Sequence, residues 1–402
     1  MKICFIANNN IGDGFSGGDR IFTEFLKHWR SRCELLLMGA EESVLMVRSR
    51  VGEGVQLLQT DRKSRFKETS ILSVFAHIVR RLACGLREVR RHAQDLGTCD
   101  CVYSVSDAYA DFFPALWLKR RYPHMTWVAG YYLFAPPPWA KDTPYKGRHF
   151  LRGFFYWLMQ RPSYWLVKRY ADVVFVTSEP DVRRFVTRRR PADRVIVVQG
   201  GVDITESEAY LASGQVVPVA RRLYDACFVG RFHFKKGVLI LPGVWKKVCE
   251  KRPDARLAMI GVGQLEPDVR ERIDELGMAG RVDLLGFRDG AEKYEIFKQS
   301  KLMVHPATYD SGGMAAAEGL AWGLPGVSFD LEALRTYYPK GMVKVACFDE
   351  QAFADAILRL LDDEAFYRQQ AADARALIVD VWDWRKRSDD IFKKMKIGKD
   401  FV

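Results

Sequence analysis

Two cations stand close together in the second half of this 402-residue sequence, in "FVGRFHFKKG" (228–237). An apolar run ends at Val229, Gly230 allows the backbone to turn, and Arg231 and Lys236 follow. Such cations at the mouth of a strand–loop–helix unit suit a diphosphate, because Arg binds two oxygens at once and Lys acts as a point charge. For this segment alone, two solvated surface cations are the alternative.

A second segment, "HPATYDSGGMAAAEGLAWGLP" (305–325), carries two acids. It is typical of a strand end, a loop containing Asp310, and a helix that begins near Gly313 with free N–H groups that attract phosphate. Glu318 lies about one turn inside that helix, where its carboxylate could accept two hydrogen bonds from a vicinal diol such as ribose. A helix-capping Asp and a buried, ion-paired Glu are the alternative.

Short apolar runs alternate with amphipathic stretches in both halves of the chain, which predicts parallel sheets covered by helices. We therefore expect an α/β fold with two doubly wound Rossmann-like domains facing across a cleft. The expected domains are 1–200, with a C-terminal helix (385–402) returning to it, and 201–384, and the aperiodic stretch 200–224 is the expected linker. The predicted strands are 2–7, 34–38, 101–105, 125–129, 173–177, 195–198, 225–229, 256–260, 282–285, 302–305 and 326–329. The predicted helices are 18–30, 70–95, 108–121, 151–170, 180–187, 236–251, 266–276, 291–299, 313–322, 351–360, 364–378 and 385–396.

The net excess of positive charge lies in the first half of the chain. Residues 1–200 hold 32 Lys and Arg against 19 Asp and Glu, whereas residues 201–402 hold 30 against 31. A one-sided basic surface suggests an anionic partner, which could be a phosphorylated substrate, a membrane face or nucleic acid. A soluble basic shell without a specific partner is the alternative.

Cysteine spacing and apolar runs bear on the compartment. The eight cysteines show no C-x-x-C spacing, which argues against a zinc site or a disulfide framework and favours a reducing compartment. The apolar run at the start is too short for a signal peptide, and prolines interrupt the uncharged stretch 122–140. We expect a cytoplasmic protein, with a peripheral position at the inner face of the cell membrane as the open alternative.

Together, the cations and acids of the second half resemble those of the retaining group 1 (GT4-like) nucleotide-sugar glycosyltransferases, which have the GT-B fold. The resemblance implies that Arg231 and Lys236 bind the donor diphosphate and that Glu318 binds the donor ribose. Asp310 stands where the family usually has a Glu that contacts the sugar, so it is one candidate catalytic residue. Asp107, in "SVSDAY" at a strand end of the first half, is the other, with a helix cap as its alternative.

The resemblance extends to several glycine-containing turns. "MIGVG" (259–263) is similar to the turn beneath the nucleotide, "VDLLGF" (282–287) to the base-contacting loop, and "GFSGGDR" (14–20) to the loop that faces the acceptor and the donor phosphates. The implied donor-binding residues are Arg231, Lys236, Glu318, Gly312, Gly313, Gly230, Gly263, Phe287, Gly17 and Gly18. Many relatives carry a His where this chain has Gly130-Tyr131-Tyr132.

The implied reaction moves a sugar from a nucleotide diphosphate sugar to an acceptor hydroxyl with retention of configuration, in cell-surface glycan or glycolipid synthesis. Domain 1–200 would bind a glycan or lipid-linked acceptor, and its aromatic-basic segment 154–170 suits an anionic membrane surface. No D-x-D or His/Asp cluster stands at a strand end, so we expect neither a metal nor another cofactor, and the cations would stabilise the leaving diphosphate. No recognised module supports nucleic-acid binding.

Two alternatives to a glycosyltransferase remain at the level of sequence. A nucleotide-sugar epimerase of related fold would turn over the donor without an acceptor. A non-catalytic sugar-nucleotide-binding protein would bind the donor and never release the nucleotide. The Asp at position 310 and the missing His favour this second alternative.

Overall fold

A computed structural model describes residues 1–9, 16–62, 71–140, 143, 145, 147, 150–310 and 312–396. The chain forms two compact units. The first comprises Met1–Gly200 and the segment from Arg387, and the second comprises Gly201–Lys386.

The first unit is built on a parallel sheet that has seven strands within the described residues, in the order β3-β2-β1-β4-β5-β6-β7. The strands are β1 (Lys2–Ala7), β2 (Glu34–Gly39), β3 (Gln56–Gln59), β4 (Cys101–Ser104), β5 (Thr126–Gly130), β6 (Val173–Val176) and β7 (Val195–Val197). The helices are α1 (Gly17–Trp29), α2 (Glu41–Arg50), α3 (Ile71–Arg91), α4 (Ala93–Leu96), α5 (Tyr109–Arg121), α6 (Phe150–Tyr170) and α7 (Glu179–Phe185).

The second unit is built on a parallel sheet with six strands in the part of the chain that is described, in the order β10-β9-β8-β11-β12-β13. The helices of this unit are α8 (Thr205–Ala212), α9 (Leu241–Lys251), α10 (Glu266–Glu275), α11 (Gly290–Lys298), α12 (Met314–Leu320), α13 (Glu332–Tyr337), α14 (Glu350–Asp362) and α15 (Glu364–Leu377), and the chain then returns to the first unit through α16 (Trp384–Lys396). The strands are β8 (Tyr224–Val229), β9 (Leu257–Ile260), β10 (Val282–Leu284), β11 (Ser300–His305), β12 (Gly326–Phe329) and β13 (Met342–Val345).

The central strands are largely apolar because helices cover both faces of each sheet. In β6, "VVFV", every residue is buried, and in β1 the five residues from Ile3 to Ala7 are buried. The register of the first sheet pairs Lys2 with Glu34 on one side of β1 and Ile3 with Cys101 on the other. None of the helices in the described ranges combines the length and the apolar character that crossing a membrane requires.

The predicted strands and helices all have counterparts, but the structure adds elements that sequence patterns missed. Strand β3 is only partly buried at the sheet edge, so its sequence lacks an apolar run. Helix α2 mixes apolar and charged residues without a clear stripe, and β13, α8 and α13 are short. The stretch 200–224, expected to be an irregular linker, instead contains α8 and belongs from Gly201 onward to the second unit.

The chain enters and leaves the second unit at adjacent points. The N–H of Val202 donates to the carbonyl of Trp382 at 2.8 Å, and the N–H of Trp384 donates to the carbonyl of Val202 at 3.2 Å. We call this paired segment the neck. Beyond it, Trp29 of the first unit donates its indole N–H to the carbonyl of Ser388 at 3.0 Å, which fixes α16 to that unit.

Candidate functional site

The strand order of the second sheet identifies where a ligand would bind. Strands β8 and β11 are neighbours, while the chain continues outward from β8 through β9 and from β11 through β12. In a doubly wound sheet this is the switch point, and the loops that follow the two strands flank a crevice at the carboxyl edge. Both charged segments singled out by sequence follow these two strands.

The loop after β8, residues 230–237, is called the cation loop here. It ends in a 3-10 turn (Phe234–Lys236) and in Gly237, whose φ of 67° is left-handed. A Cβ at Gly237 would lie 2.0 Å from the carbonyl oxygen of Pro306, so only glycine allows this approach. The N–H groups of Thr308 and Tyr309 donate to the carbonyl of Lys235. The cation loop is therefore fixed against the loop that follows β11.

Three cations lie near one another on the cation loop. Arg231 is exposed and, within the described residues, forms no ion pair with a carboxylate. Lys235, which sequence reasoning missed, places its Nζ 4.8 Å from the centre of the Tyr309 ring. Burial lowers the pKa of Lys235, and the charges of Arg231 and Lys236 lower it further. The effect of these two charges on the pKa of Lys235 indicates that positive charge is concentrated in the cation loop, which suits a polyanionic ligand.

Asp310 lies in the loop after β11 and accepts hydrogen bonds on both carboxylate oxygens. Its Oδ2 is 2.5 Å from Lys236 Nζ and 3.1 Å from His305 Nε2. Its Oδ1 accepts the N–H groups of Gly312 and Gly313 at 3.2 and 3.0 Å. Burial alone would raise the pKa of Asp310, but Lys236 and His305 outweigh it and hold this pKa well below its ordinary value.

These contacts correct one expectation about the start of α12. The sequence predicts that N–H groups near Gly313 are free to meet phosphate, whereas Gly312 and Gly313 direct theirs to Asp310. The helix itself spans only seven residues, Met314–Leu320. The anion-binding potential of this region thus resides in the cation loop, while Asp310 ties that loop to α12.

Glu318 is largely buried in the second turn of α12. Its Oε2 lies 2.9 Å from Nζ of Lys293, a residue of α11 that sequence reasoning also missed. Lys293 is 2.9 Å from Oδ1 of Asp289 as well, the residue just before α11. The structure therefore contains the alternative considered for Glu318, a buried and ion-paired carboxylate. Its partner, Lys293, stands four residues after Asp289. The Asp289-to-Lys293 spacing is visible in the sequence, but it does not record the contact of Lys293 with Glu318.

The predicted glycine turns pack against one another. The N–H of Phe232 donates to the carbonyl of Val262, and a Cβ at Gly263 would lie 2.4 Å from the carbonyl oxygen of Phe232. Gly230 donates its N–H to the carbonyl of Ile260. Close backbone packing thus accounts for Gly263 without a ligand, whereas a Cβ at Gly230 would lie 2.8 Å from the ring of Phe228. The side chain of Phe287, after β10, is 64% exposed.

In the first unit, Asp107 follows β4 and is not the cap of α5, because the cap position is Ala108. Its Oδ2 accepts a hydrogen bond from Gln160 Nε2 at 2.7 Å. Burial raises the pKa of Asp107 to about 6, although the bond from Gln160 acts in the opposite direction. A carboxyl with this pKa could exchange a proton near neutral pH.

Sequence reasoning missed a second acid beside it, Asp111, in the first turn of α5. Asp111 is 1% exposed, and its Oδ1 accepts the N–H of Asn8 at 2.6 Å, while Ser106 donates its hydroxyl to Oδ2. Burial raises the pKa of Asp111 to about 7. It joins the loops after β1 and β4, which flank the switch point of the first sheet.

Gly17 and Gly18 form the first turn of α1, after the cap residue Ser16. Ser16 and Asp19 make a capping box, in which each side chain bonds the other residue's N–H. Residues 14 and 15 of the predicted loop lie outside the described residues.

The predicted site residues are divided between the two units. Arg231, Lys236 and Asp310 come together in the second unit, with Glu318 in the adjoining helix. Asp107, Gly17 and Gly18 belong to the first unit. Among the described residues no group of three His, Cys, Asp or Glu side chains could hold a metal ion.

Comparison with known proteins identifies the second unit. Residues 218–377 match the family model described as glycosyl transferases group 1. Most of the second unit therefore matches this model, and the matched residues, 218–377, are called the group 1 domain here. This confirms the resemblance inferred from Arg231, Lys236 and Glu318 for that part of the chain.

Curated relatives match about half of the chain at low identity. An uncharacterized glycosyltransferase of Methanocaldococcus jannaschii is 23% identical over 220 residues, covering 53% of this chain and 56% of that protein. A phosphatidyl-myo-inositol mannosyltransferase of Mycobacterium tuberculosis is 25% identical over 206 residues, covering 49% and 53%. The chain thus spans about half the length of these curated relatives.

Solved structures extend the likeness beyond the group 1 domain to the whole fold. The crystal structure of Anabaena HepE in complex with UDP and glucose superposes with a TM-score of 0.67 at 16% identity, covering 98% of this chain and 99% of that one. The predicted fold class, two doubly wound α/β units as in GT-B glycosyltransferases, is confirmed.

Proposed function

We propose that this protein transfers a glycosyl unit from a nucleotide diphosphate sugar to an acceptor hydroxyl, with retention at the anomeric carbon. The observation that carries the proposal is the cation loop at the β8–β11 switch point of a group 1 domain. Arg231, Lys235 and Lys236 supply three positive charges where a leaving diphosphate needs stabilisation. The HepE structure, with UDP and glucose bound, is a GT-B relative that holds such a ligand.

Asp310 connects diphosphate binding to the sugar in this proposal. Lys236 is bound to Asp310 without a ligand, and a diphosphate offers it more negative charge than one carboxylate. When Lys236 moves to the phosphates, Oδ2 of Asp310 becomes available to a sugar hydroxyl. The departing phosphate then assists attack of the acceptor on the same face of the sugar. Because the cations stabilise the leaving group, the reaction needs no metal.

The first unit is the proposed acceptor side, where Asp107 is the candidate to contact the acceptor. Its raised pKa, about 6, suits a group that accepts a proton from an attacking hydroxyl near neutral pH. The acceptor is proposed to be a glycan or a lipid-linked saccharide of the cell surface. The name of the mannosyltransferase relative, which refers to a phosphatidyl-inositol, supports a lipid-linked class.

Turnover measurements test the proposal. Purified protein is incubated with UDP-, GDP- and ADP-sugars in the presence of EDTA, with and without lipid-linked saccharide extract, and released nucleotide is measured. We expect acceptor-dependent nucleotide release with one donor, and product with the donor's anomeric configuration. Conversion of the donor without acceptor would indicate an epimerase, and binding without any release would indicate a non-catalytic protein. Either result would reject the proposal.

Peripheral membrane binding is part of the same proposal and rests on α6. Leu151 and Trp165 on this helix are 70% and 60% exposed, as is Trp139 in the preceding loop at 60%. Arg161 lies 4.4 Å from the Trp157 ring centre, so cations border the aromatic surface. Aromatic and basic side chains together favour the interface of an anionic bilayer.

Liposome flotation tests the membrane interaction. We expect the protein to float with vesicles containing phosphatidylglycerol at low salt and to detach at high salt. The double variant Trp139→Ser, Leu151→Ser should lose flotation, whereas Leu45→Ser, at an exposed apolar residue of α2, should retain it. Absence of flotation by the wild type at low salt would remove membrane binding from the proposal and leave glycosyl transfer standing.

A further inference from the structure

Lys293 is a buried cation held by acids from two elements. Its side chain is 8% exposed, and its ammonium lies 2.9 Å from Glu318 in α12 and 2.9 Å from Asp289 at the start of α11. The Glu318 side chain is 11% exposed. A lysine this buried is uncommon unless it is paired, and a pairing to two carboxylates fixes its position as well as its charge.

We propose that Lys293 is a positioning residue that keeps Glu318 ionised and oriented for the ribose of the donor. The inference rests on the proposed function and extends it to a residue outside the implied donor-binding set. A buried carboxylate without a cation nearby favours its protonated form, which accepts fewer hydrogen bonds. Lys293 removes that penalty for Glu318. Asp289 in turn restricts the long lysine side chain to one arrangement.

Aromatic packing holds α11 and α12 in register for this contact. Trp322, just after α12, lies 5.1 Å from the ring of Tyr294, the residue next to Lys293, and 6.3 Å from the ring of Phe297. These ring contacts fix the helix that carries Lys293 against the helix that carries Glu318. The ion pair is therefore a fixed feature of the domain rather than a chance surface contact.

The charges also determine where the ribose and the phosphates of a nucleotide diphosphate would bind. Asp289, Lys293 and Glu318 together carry a net charge of about −1 when all are ionised, which favours hydroxyl donors and disfavours phosphate. The cation loop has the opposite sign. A ribose diol is thus directed to Glu318 and the phosphates to the cation loop. Without Lys293 the two acids would add a second negative charge next to the nucleotide.

Ribose discrimination provides the test, because Lys293 acts only through the contact of Glu318 with the diol. Calorimetry compares the tightest binder among UDP, GDP and ADP with its 2′-deoxy counterpart. We expect the wild type to prefer the ribonucleotide about tenfold, the effect of one hydrogen bond to a charged group. Lys293→Met should weaken the ribonucleotide about tenfold and leave the deoxynucleotide within about twofold. Lys293→Arg should restore part of the preference.

Each other outcome has a defined meaning. Equal weakening of both nucleotides in Lys293→Met would show a merely structural role and overturn the inference, as would unchanged binding of both. If Lys293→Met fails to fold, Lys293→Gln carries the same comparison, and a ribose preference retained at the wild-type level in Lys293→Gln overturns the inference. Wild-type protein that binds none of the three nucleotides would instead overturn the proposed function, and the inference with it.

Discussion

At the scale of single residues, the structure shows that the acids Asp310 and Glu318, inferred from sequence, already bond to cations. Lys236 contacts Asp310, and Glu318 contacts Lys293. A ligand must therefore exchange these partners, whereas the exposed Arg231 is open to a ligand from the start. The affinity for a ligand at this site therefore depends on how much stronger its contacts are than the ion pairs that it replaces. Single substitutions measure that difference.

Substitution of Arg231 tests the open cation. Arg231→Ala should weaken nucleotide diphosphate binding by about 1–3 kcal/mol, since a charge-assisted hydrogen bond is lost, and Arg231→Lys should recover only part because Lys cannot bind two oxygens at once. Calorimetry at fixed salt measures both. Arg270→Ala, at an exposed arginine of α10, is the matched control and should bind as the wild type does. Equal binding by Arg231→Ala would exclude Arg231 from the site.

Asp111 predicts a pH dependence of stability. Its folded-state pKa, about 7, lies above the ordinary value of 3.8, so the folded chain binds this proton more tightly. The resulting stabilisation is complete below pH 3.8 and is lost as pH rises through about 7. Asp111→Asn keeps an acceptor for the N–H of Asn8 and does not titrate. Between pH 5 and about 8 the wild type should therefore lose about 1–3 kcal/mol of unfolding free energy relative to Asp111→Asn.

Urea unfolding at several pH values measures this difference for Asp111. Asp95→Asn, at an exposed acid of α4, is the control and should follow the wild type at every pH. A constant offset between Asp111→Asn and the wild type would contradict the raised pKa.

The site residues were predictable to different degrees. Arg231 and Lys236 could be singled out because they follow a strand end and a glycine, and Glu318 because it is a carboxylate in a helix of small residues. Lys293 and Asp111 could not, because their significance arises from contacts between elements distant in sequence. Lys293 on α11 meets Glu318 on α12, and Asp111 on α5 meets Asn8 after β1. No local pattern records such contacts.

At the scale of elements, the positions of the loops depend on a few backbone approaches. The cation loop lies on the loop after β11 only because Gly237 has no side chain. Most strands were predictable because buried parallel strands carry short apolar runs, and the misses included the partly exposed β3 and the weakly amphipathic α2. The loop geometry was not predictable, since it depends on pairs such as Gly237 and Pro306.

Gly237→Ala tests the attachment of the cation loop. The added Cβ meets the carbonyl of Pro306 in a left-handed residue, so the loop must shift. We expect a stability loss of more than about 2 kcal/mol and at least tenfold weaker nucleotide diphosphate binding. Gly277→Ala is a matched control, because its φ of 68° is the same and nothing lies within 4 Å of the added Cβ.

The control isolates backbone strain from the clash. Gly277→Ala should cost about 1–2 kcal/mol of stability and leave binding unchanged. Differential scanning fluorimetry and calorimetry measure the two effects. Similar stability and binding in both variants would mean that the cation loop tolerates displacement from Pro306.

At the scale of the whole molecule, two units with separate sheets divide the proposed tasks. The excess of positive charge lies in residues 1–200, and the group 1 domain lies in the other unit. Composition predicted this division, because 402 residues exceed one core and the charges differ between halves. The limits of the units depend on the neck contacts and could not be read from composition.

Hydrogen exchange with a saturating nucleotide diphosphate tests the division. A ligand at about 100 times its dissociation constant stabilises the folded state by about 2.7 kcal/mol, so amides that exchange through unfolding of the second unit should slow strongly. We expect the slowing in β8–β12 and α11–α12, and little change in β1–β3. Equal slowing in both units, at full occupancy, would show that they unfold together or that the first unit also binds the nucleotide.

The neck makes the second unit a removable cassette. Entry at Val202 and exit at Trp382 are joined by main-chain hydrogen bonds, so two peptide junctions side by side separate residues 201–386 from the rest of the polypeptide. Inserted domains with adjacent termini are tolerated because a replacement need only span the same short gap. Chimaeras that exchange this cassette between relatives would keep the proposed acceptor half and replace the proposed donor-binding half.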